Sequence, residues 1–154
     1  MRIAMSADHR GAAAARQVSD RLRGEGHQVE LVGDVGGGVV DYPEPAWHVG
    51  KAVASGKADM GLLICGTGIG MSIAANKVKG VRAAVAHDEL TAQISRSHND
   101  ANVLCLSADL LGQRLIENIV EVWLKTPFEG GRHARRLHKI TAIEEGKDPT
   151  RVTE

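Results

Sequence analysis

Aromatic side chains are scarce in this 154-residue chain, in which Phe, Trp and Tyr together make up only 3% of the residues. Proteins that bind single-stranded nucleic acids stack bases on aromatic rings, so this composition argues against that class. The 19 Lys and Arg residues balance the 19 Asp and Glu residues, for a formal net charge of +0. No overall field attracts nucleic acid or an anionic membrane, and any anion site must therefore be local.

Features of membrane, secreted and zinc proteins are also missing. No uncharged apolar run reaches the roughly 18 residues that a membrane span needs, and Met1 is not followed by a signal-peptide pattern. Cys65 and Cys105 form neither a C-x-x-C pair nor a disulfide framework, and the seven histidines show no zinc-ligand spacing. We therefore expect a cytoplasmic protein with no metal, no membrane partner and no nucleic-acid partner.

Apolar runs of strand length alternate with segments of helix length, which is typical of a parallel sheet covered by helices on both faces. Strands are predicted over residues 3–7, 29–32, 60–65, 83–86 and 103–107, and helices over 12–24, 44–55, 69–78, 89–97 and 112–124. Right-handed crossovers make this an α/β fold, a three-layer αβα sandwich with a five-stranded, Rossmann-like parallel sheet. Its functional edge is expected at the carboxyl ends of the strands.

The end of the chain is predicted to add one more helix to this domain. A basic segment that starts at Gly131 runs into a helix ending near Glu144, whereas the stretch after it is polar and without periodicity. We expect a single domain over residues 1–144 and a flexible tail over 145–154.

The strongest chemical signal is the stretch L-L-I-C-G-T-G-I-G-M-S, in which an apolar strand ends at Cys65 and a glycine-rich loop leads into a helix. Backbone N–H groups of such a loop, with the positive end of the helix dipole, suit an oxyanion or a phosphate, and a cysteine there gains thiolate character. The alternative without a function is a tight turn with a buried, inert cysteine. The loop is not a dinucleotide fingerprint, whose third glycine would fall on Met71 or Ile73, and it lacks the G-K-[ST] of a P-loop.

Asp8, His9 and Arg10 follow the first strand and bring a carboxylate, an imidazole and a guanidinium to the expected functional edge. Alternatively, Asp8 caps the following helix and the other two side chains are solvated. The segment around His98 and Asn99, R-S-H-N-D-A-N, is polar and, taken alone, is typical of a loop.

Arg132 and Arg136 lie four residues apart and share one face of the last predicted helix. Two guanidinium groups on one face can converge on a phosphate. The alternative is a solvated basic face.

Together these segments resemble the type B ribose-5-phosphate isomerases and the related galactose-6-phosphate isomerase subunits. The resemblance runs from Met1 to about Glu144 and rests on A-D-H-x-G, D-Y-P, I-C-G-T-G-I-G-M-S-I-A-A-N-K, H-N-D-x-N and E-G-G-R-H. It implies an aldose–ketose isomerase without cofactor, acting on a phosphorylated sugar at the interface of a homodimer or tetramer. Ribose 5-phosphate is the first expected substrate. Allose, galactose or tetrose phosphates, or a non-catalytic sugar-phosphate-binding subunit, are the alternatives.

The resemblance also implies catalytic roles. Cys65 is the base that moves a proton between C1 and C2 of the sugar, and Thr67 assists it. His98, reaching from the partner subunit, is the acid that opens the sugar ring, with assistance from Asp8. Some members of the family use a glutamate as base at the position of Met71, so this chain resembles the cysteine-base members.

The remaining implied roles concern binding. The backbone of the glycine loop holds the enediolate, Asn99 binds sugar hydroxyls, and Tyr42 lines the pocket. The loop residues are Gly66, Thr67, Gly68, Ile69 and Gly70, and the phosphate is held by His9, Arg132 and Arg136.

The chain departs from the family pattern after the last strand. Family members usually carry an arginine there, in a pattern R-x-x-G, that contributes to phosphate binding, and this chain has Asp109. An anion thus replaces a cation near the expected phosphate. We hypothesise that Arg10 supplies the missing positive charge.

Overall fold

The computed structural model describes residues 1–33, 35–36 and 38–153. The strands are β1 (Arg2–Ala7), β2 (Gln28–Leu31), β3 (Met60–Cys65), β4 (Ala83–Val85) and β5 (Val103–Ser107). The helices are α1 (Ala12–Gly24), α2 (Pro43–Ala54), α3 (Ile69–Ala75), α4 (Glu89–Ser97), α5 (Gln113–Lys125) and α6 (Arg132–Glu144), followed by a 3₁₀ turn at Pro149–Arg151. The alternation of strands and helices is the one predicted, and the α/β fold class is confirmed.

The largest difference from the predicted bounds is in α3, which ends at Ala75 instead of continuing to residue 78. The side chain of Asn76 bonds both backbone groups of Ala83, accepting from its N–H at 2.8 Å and donating to its carbonyl at 2.9 Å. These bonds turn the chain into β4 and end the helix. No helix in the described ranges combines the length and hydropathy that crossing a bilayer would require.

All the strand pairs are parallel, and the strand order is β2-β1-β3-β5-β4. The chain leaves β1 toward β2 on one side and leaves β3 toward β4 and β5 on the other, so the order reverses between β1 and β3. Ligands of open α/β sheets bind in the crevice that such a reversal opens at the carboxyl ends of the strands. In this protein that crevice lies beside Asp8, which follows β1, and Cys65, which ends β3.

Two apolar layers cover the sheet. Helices α1, α4 and α5 pack on one face, around the fully buried Trp123, and helices α2 and α3 pack on the other. Because successive residues of a strand face opposite sides, Leu62 and Ile64 point into the first layer, and Leu63 and Cys65 into the second. Cys65 therefore faces the helix that its own glycine loop begins.

Gly11 allows α1 to begin directly against the end of β3. A β-carbon at this position would lie 2.1 Å from the carbonyl oxygen of Ile64, which is far inside van der Waals contact. Only glycine therefore permits this approach of the loop after β1 to the candidate site.

We predict that Gly11→Ala lowers the free energy of unfolding by about 1–3 kcal/mol, the usual cost of overpacking a close contact. Gly24→Ala is the matched control, because a β-carbon there meets nothing within 4 Å. Urea unfolding of both variants measures the effect. An equal stability of Gly11→Ala and Gly24→Ala would contradict the close approach.

Candidate active site

The glycine loop after β3 holds the sulfur of Cys65 by a backbone hydrogen bond. Gly68 has φ +78°, a left-handed conformation that turns its N–H back toward Cys65 Sγ at 3.1 Å. The N–H of Ile69 donates to Thr67 Oγ1 at 3.3 Å. The resemblance implies that N–H groups of this loop bind the enediolate oxygen. Those of Gly68 and Ile69 already have acceptors inside the loop. The candidate donors to an enediolate are therefore the N–H groups of Gly66, Thr67 and Gly70.

Tyr42 lies against this loop, as the resemblance implies. A β-carbon at Gly70 would be 2.6 Å from Tyr42 Cε2, so the ring rests directly on the glycine backbone. Tyr42 caps the first turn of α2 and remains 46% exposed. Its ring can therefore contact a ligand held by the loop.

Asp8 is buried beside the loop and organises the turn that leads into α1. Its Oδ1 accepts hydrogen bonds from the N–H groups of Arg10 and Gly11, both at 2.9 Å. These bonds close the turn before α1, whose N-cap is Gly11, so Asp8 orders the loop without capping the helix. His9, between Asp8 and Arg10, is exposed.

Arg10 and Asp109 form an ion pair on top of the glycine loop. Both Nε and Nη2 of Arg10 lie 2.8 Å from Asp109 Oδ2, and this hydrogen-bonded carboxylate raises the pKa of Arg10. A β-carbon at Gly66 would be 2.9 Å from Asp109 Oδ2 and 3.2 Å from Arg10 Cδ. The pair therefore borders the candidate site, and Asp109 balances the charge that Arg10 brings to it.

His98 lies at the opposite edge of the sheet from Cys65. Helix α4 runs back from the carboxyl edge, and His98 follows it, before β5 begins at the amino edge. Cys65 is in register with Ser107, at the far end of β5, and five strand residues span about 13 Å. His98 and its neighbour Asn99 therefore lie away from the carboxyl edge, where Asp8 and Cys65 are found.

Arg132 belongs with His98 rather than with Cys65. It begins α6, and its Nε donates to Nε2 of the adjacent His133 at 3.4 Å, while the ring of His133 stacks on His98 with centroids 4.1 Å apart and planes at 11°. Arg136 lies one turn further along α6 and is exposed. One chain thus carries two half-sites: the Cys65 half-site, with Asp8, His9, Arg10, Tyr42 and the glycine loop, and the His98 half-site, with Asn99, Arg132 and Arg136.

Two members of the His98 half-site were missed by reasoning from sequence. Glu129 Oε2 lies 3.9 Å from His98 Nε2 and 3.7 Å from His133 Nε2. His133 is only 4% exposed, and burial, followed by the charges of His98, Arg132 and Arg136, lowers its pKa. The E-x-x-x-H spacing within E-G-G-R-H was the available signal, since residues four apart can meet.

Among the described residues, His98, Glu129 and His133 are the one group of His, Cys, Asp and Glu side chains with ligand atoms close enough together to hold a metal ion, all within 4.8 Å. Imidazole and carboxylate are zinc ligands. However, Arg132 donates to the lone pair of His133 that an ion would need, and it places a cation there. The arrangement therefore favours a hydrogen-bonded cluster over a metal centre.

Cys105 lies on the same face of the sheet as Cys65 but is 0% exposed, and burial raises the pKa of its thiol. Both cysteines are free. The geometry fits the expected packing role of Cys105.

Comparison with known proteins agrees with this geometry. The Ribose/Galactose Isomerase family model matches residues 3–140. The chain belongs to this family. It is 44% identical to ribose-5-phosphate isomerase B of Escherichia coli over 147 residues, which cover 96% of this chain and 99% of that protein. It is 40% identical to D-erythrulose-4-phosphate isomerase of Pectobacterium atrosepticum over 143 residues, which cover 92% and 94%.

Among solved structures, ribose-5-phosphate isomerase B of Clostridium thermocellum matches with a TM-score of 0.93 and 47% identity, covering 95% of this chain and 99% of that one. The resemblance noted in the sequence is thus confirmed. The protein is a sugar-phosphate isomerase of this family, an enzyme of the aldose–ketose isomerase class.

Proposed function

We propose that this protein interconverts D-ribose 5-phosphate and D-ribulose 5-phosphate through an enediolate, at a site completed by a second copy of the chain. The observation that carries the proposal is Cys65, placed at the strand-order reversal with its sulfur bonded into a glycine loop. The match to the E. coli ribose-5-phosphate isomerase B, over nearly the whole of both chains, supports this substrate.

Cys65 acts as the base in this proposal. It takes the proton from C2 of the open-chain aldose and returns it to C1, while a proton moves from O2 to O1. Backbone N–H groups of the loop stabilise the negative oxygen of the enediolate, which is where charge develops in the transition state. The Thr67 hydroxyl, beside this position, assists the transfer between the oxygens.

His98 opens the furanose ring by giving a proton to the ring oxygen as the bond from C1 to that oxygen breaks, and Asp8 assists by accepting the proton that the C1 hydroxyl loses as the aldehyde forms. Within one chain His98 and Cys65 lie at opposite edges of the sheet, so His98 comes from the second copy. Asn99 arrives with it and binds sugar hydroxyls. Ile69 and Ile73, four residues apart on α3, are more than half exposed beside the loop and supply apolar surface for this contact.

Phosphate binding is also shared in this proposal. His9 comes from the chain that supplies Cys65, and Arg132 and Arg136 come from the chain that supplies His98. Charged donors on a phosphate remote from the reacting carbons provide binding energy that orients C1 and C2.

A four-carbon sugar phosphate is the second candidate substrate. The chain is also similar to a D-erythrulose-4-phosphate isomerase over most of its length. The Arg10–Asp109 pair replaces the family's arginine at the border of the site, and a change of charge there alters which phosphate position is bound.

The first prediction of the proposed function concerns the base. Cys65→Ala is expected to lower kcat by about 10²–10⁴-fold, the usual contribution of a general base. Cys105→Ala is the matched control, since that thiol lies inside the core, and it is expected to keep kcat. The assay follows ribose 5-phosphate turnover with chelator present, with erythrose 4-phosphate, allose 6-phosphate and galactose 6-phosphate alongside.

If only erythrose 4-phosphate is turned over, the four-carbon sugar phosphate takes the place of ribose 5-phosphate as the proposed substrate. Inert wild-type protein on all four sugars would favour a binding subunit. Full kcat in Cys65→Ala would remove Cys65 from the mechanism.

The second prediction concerns the pair at the border of the site. Arg10→Ala is expected to raise KM about 3–10-fold with little change in kcat, because it removes a charged donor that binds substrate and transition state alike. Asp109→Asn is expected to lower KM, since it frees the Arg10 charge, and to have no effect in the Arg10→Ala background.

Arg2→Ala is the control for this pair, because the Arg2–Asp59 ion pair lies at the amino edge of the sheet. An unchanged KM in Arg10→Ala would end the hypothesis that Arg10 supplies the missing charge.

A further inference from the structure

A short turn brings Glu129 and His133 to the same side of His98. The backbone N–H of Glu129 donates to the carbonyl of Ser97 at 3.0 Å, which fixes the loop beside the end of α4. Gly130 and Gly131 have φ of +66° and +56°, a left-handed turn that reverses the chain into α6. The E-G-G-R-H segment is therefore built to present these two side chains to one imidazole.

His133 sets the plane in which the imidazole of His98 can lie. The two rings are nearly parallel, with centroids 4.1 Å apart. The ring of His133 is itself held in place, because it is 4% exposed and accepts the hydrogen bond from Arg132. A buried, anchored ring under a partly exposed one restricts the rotation of the exposed ring.

Glu129 places a carboxylate at the Nε2 edge of both rings, at 3.9 Å from His98 and 3.7 Å from His133. The other charged groups near the stack are Arg132 and Arg136 on α6. On α4 and after it, Arg96 is paired with Asp100 at 2.7 Å. Burial, followed by the charges of His98 and the two α6 arginines, lowers the pKa of His133. Glu129 is therefore the anion that faces His98.

We propose that Glu129 and His133 are positioning residues for ring opening: His133 fixes the plane of the His98 imidazole, and Glu129, which faces its Nε2, fixes the rotation of the ring within that plane. This rests on the proposed function, in which His98 is the ring-opening acid. Neither residue touches the reacting carbons at Cys65. Their effect is confined to the step that His98 performs.

The chemistry of the two sugars separates that step from proton transfer at carbon. Ribose 5-phosphate closes a furanose ring through O4 and must be opened. Ribulose 5-phosphate cannot close a furanose ring on C2, because its O5 carries the phosphate. Exchange of its C1 hydrogen with solvent deuterium therefore requires the base and the enediolate but no ring opening.

The experiment compares wild type with His133→Ala, His133→Phe and Glu129→Gln in two measurements with chelator present. These are kcat and KM for ribose 5-phosphate, and deuterium exchange into ribulose 5-phosphate followed by NMR. Glu145→Gln is the matched control, because that carboxylate pairs with Lys147 beyond the end of α6.

His133→Ala and Glu129→Gln are expected to lower kcat on ribose 5-phosphate about tenfold or more, the scale on which a misplaced general acid costs rate. Deuterium exchange is expected to stay within about twofold of wild type, since that step uses no acid from His98. His133→Phe keeps a flat ring under His98 but cannot accept from Arg132, and it is expected to retain most of kcat.

Parallel losses of turnover and exchange would show a general structural role and overturn the proposal. A rise in KM with unchanged kcat in His133→Ala would also overturn it, by showing that His133 acts through Arg132 on phosphate binding. If the wild type exchanges ribulose 5-phosphate and both His133→Ala and Glu129→Gln keep full turnover of ribose 5-phosphate, this inference alone is overturned. Wild type inert in both measurements would instead contradict the proposed function.

Discussion

The close approach of two loops to the end of β3 is the constraint on which the Cys65 half-site depends. Gly11 meets the carbonyl of Ile64, and the N–H groups of Ala108 and Asp109 donate to the carbonyls of Cys65 and Gly66. These contacts come from the loops after β1 and β5, the two strands that flank β3. They hold the glycine loop in the conformation in which the Gly68 N–H points toward the sulfur of Cys65.

Electrostatics at this edge is local, as a chain with balanced charges requires. The pair of Arg10 and Asp109 brings no net charge, yet it lies against Gly66, where a phosphorylated sugar would be held. The cation comes from the loop after β1 and is held by Asp109, which follows β5.

Much of the fold followed from apolar periodicity, because β3, β5, α1 and α4 have the predicted bounds. Helix α3 was predicted too long because the side-chain bonds of Asn76 to β4 are tertiary contacts with no local signature. The glycine loop and Asp8 were expected at one edge because strand ends are readable from alternation, whereas Tyr42 was expected beside the loop only from the family resemblance. His133 was missed because a buried histidine in a basic run looks solvated.

The division of the candidate residues between two edges of one sheet carries the main consequence for function. A base at Cys65 and an acid at His98 can serve one substrate only if two copies of the chain contribute, since β5 alone separates them by about 13 Å. The interface of a two-fold dimer then contains two sites, and each site combines the Cys65 half-site of one copy with the His98 half-site of the other.

Mixing two inactive variants tests this division most directly. Cys65→Ala and His98→Asn are each purified, mixed in equal amounts, allowed to exchange subunits and assayed on ribose 5-phosphate. Shared sites predict recovery of about a quarter of wild-type turnover, because half of the dimers are mixed and each has one intact site. A mixture that exchanges subunits but stays as inactive as the separate variants would show that one chain supplies both groups and would contradict the account.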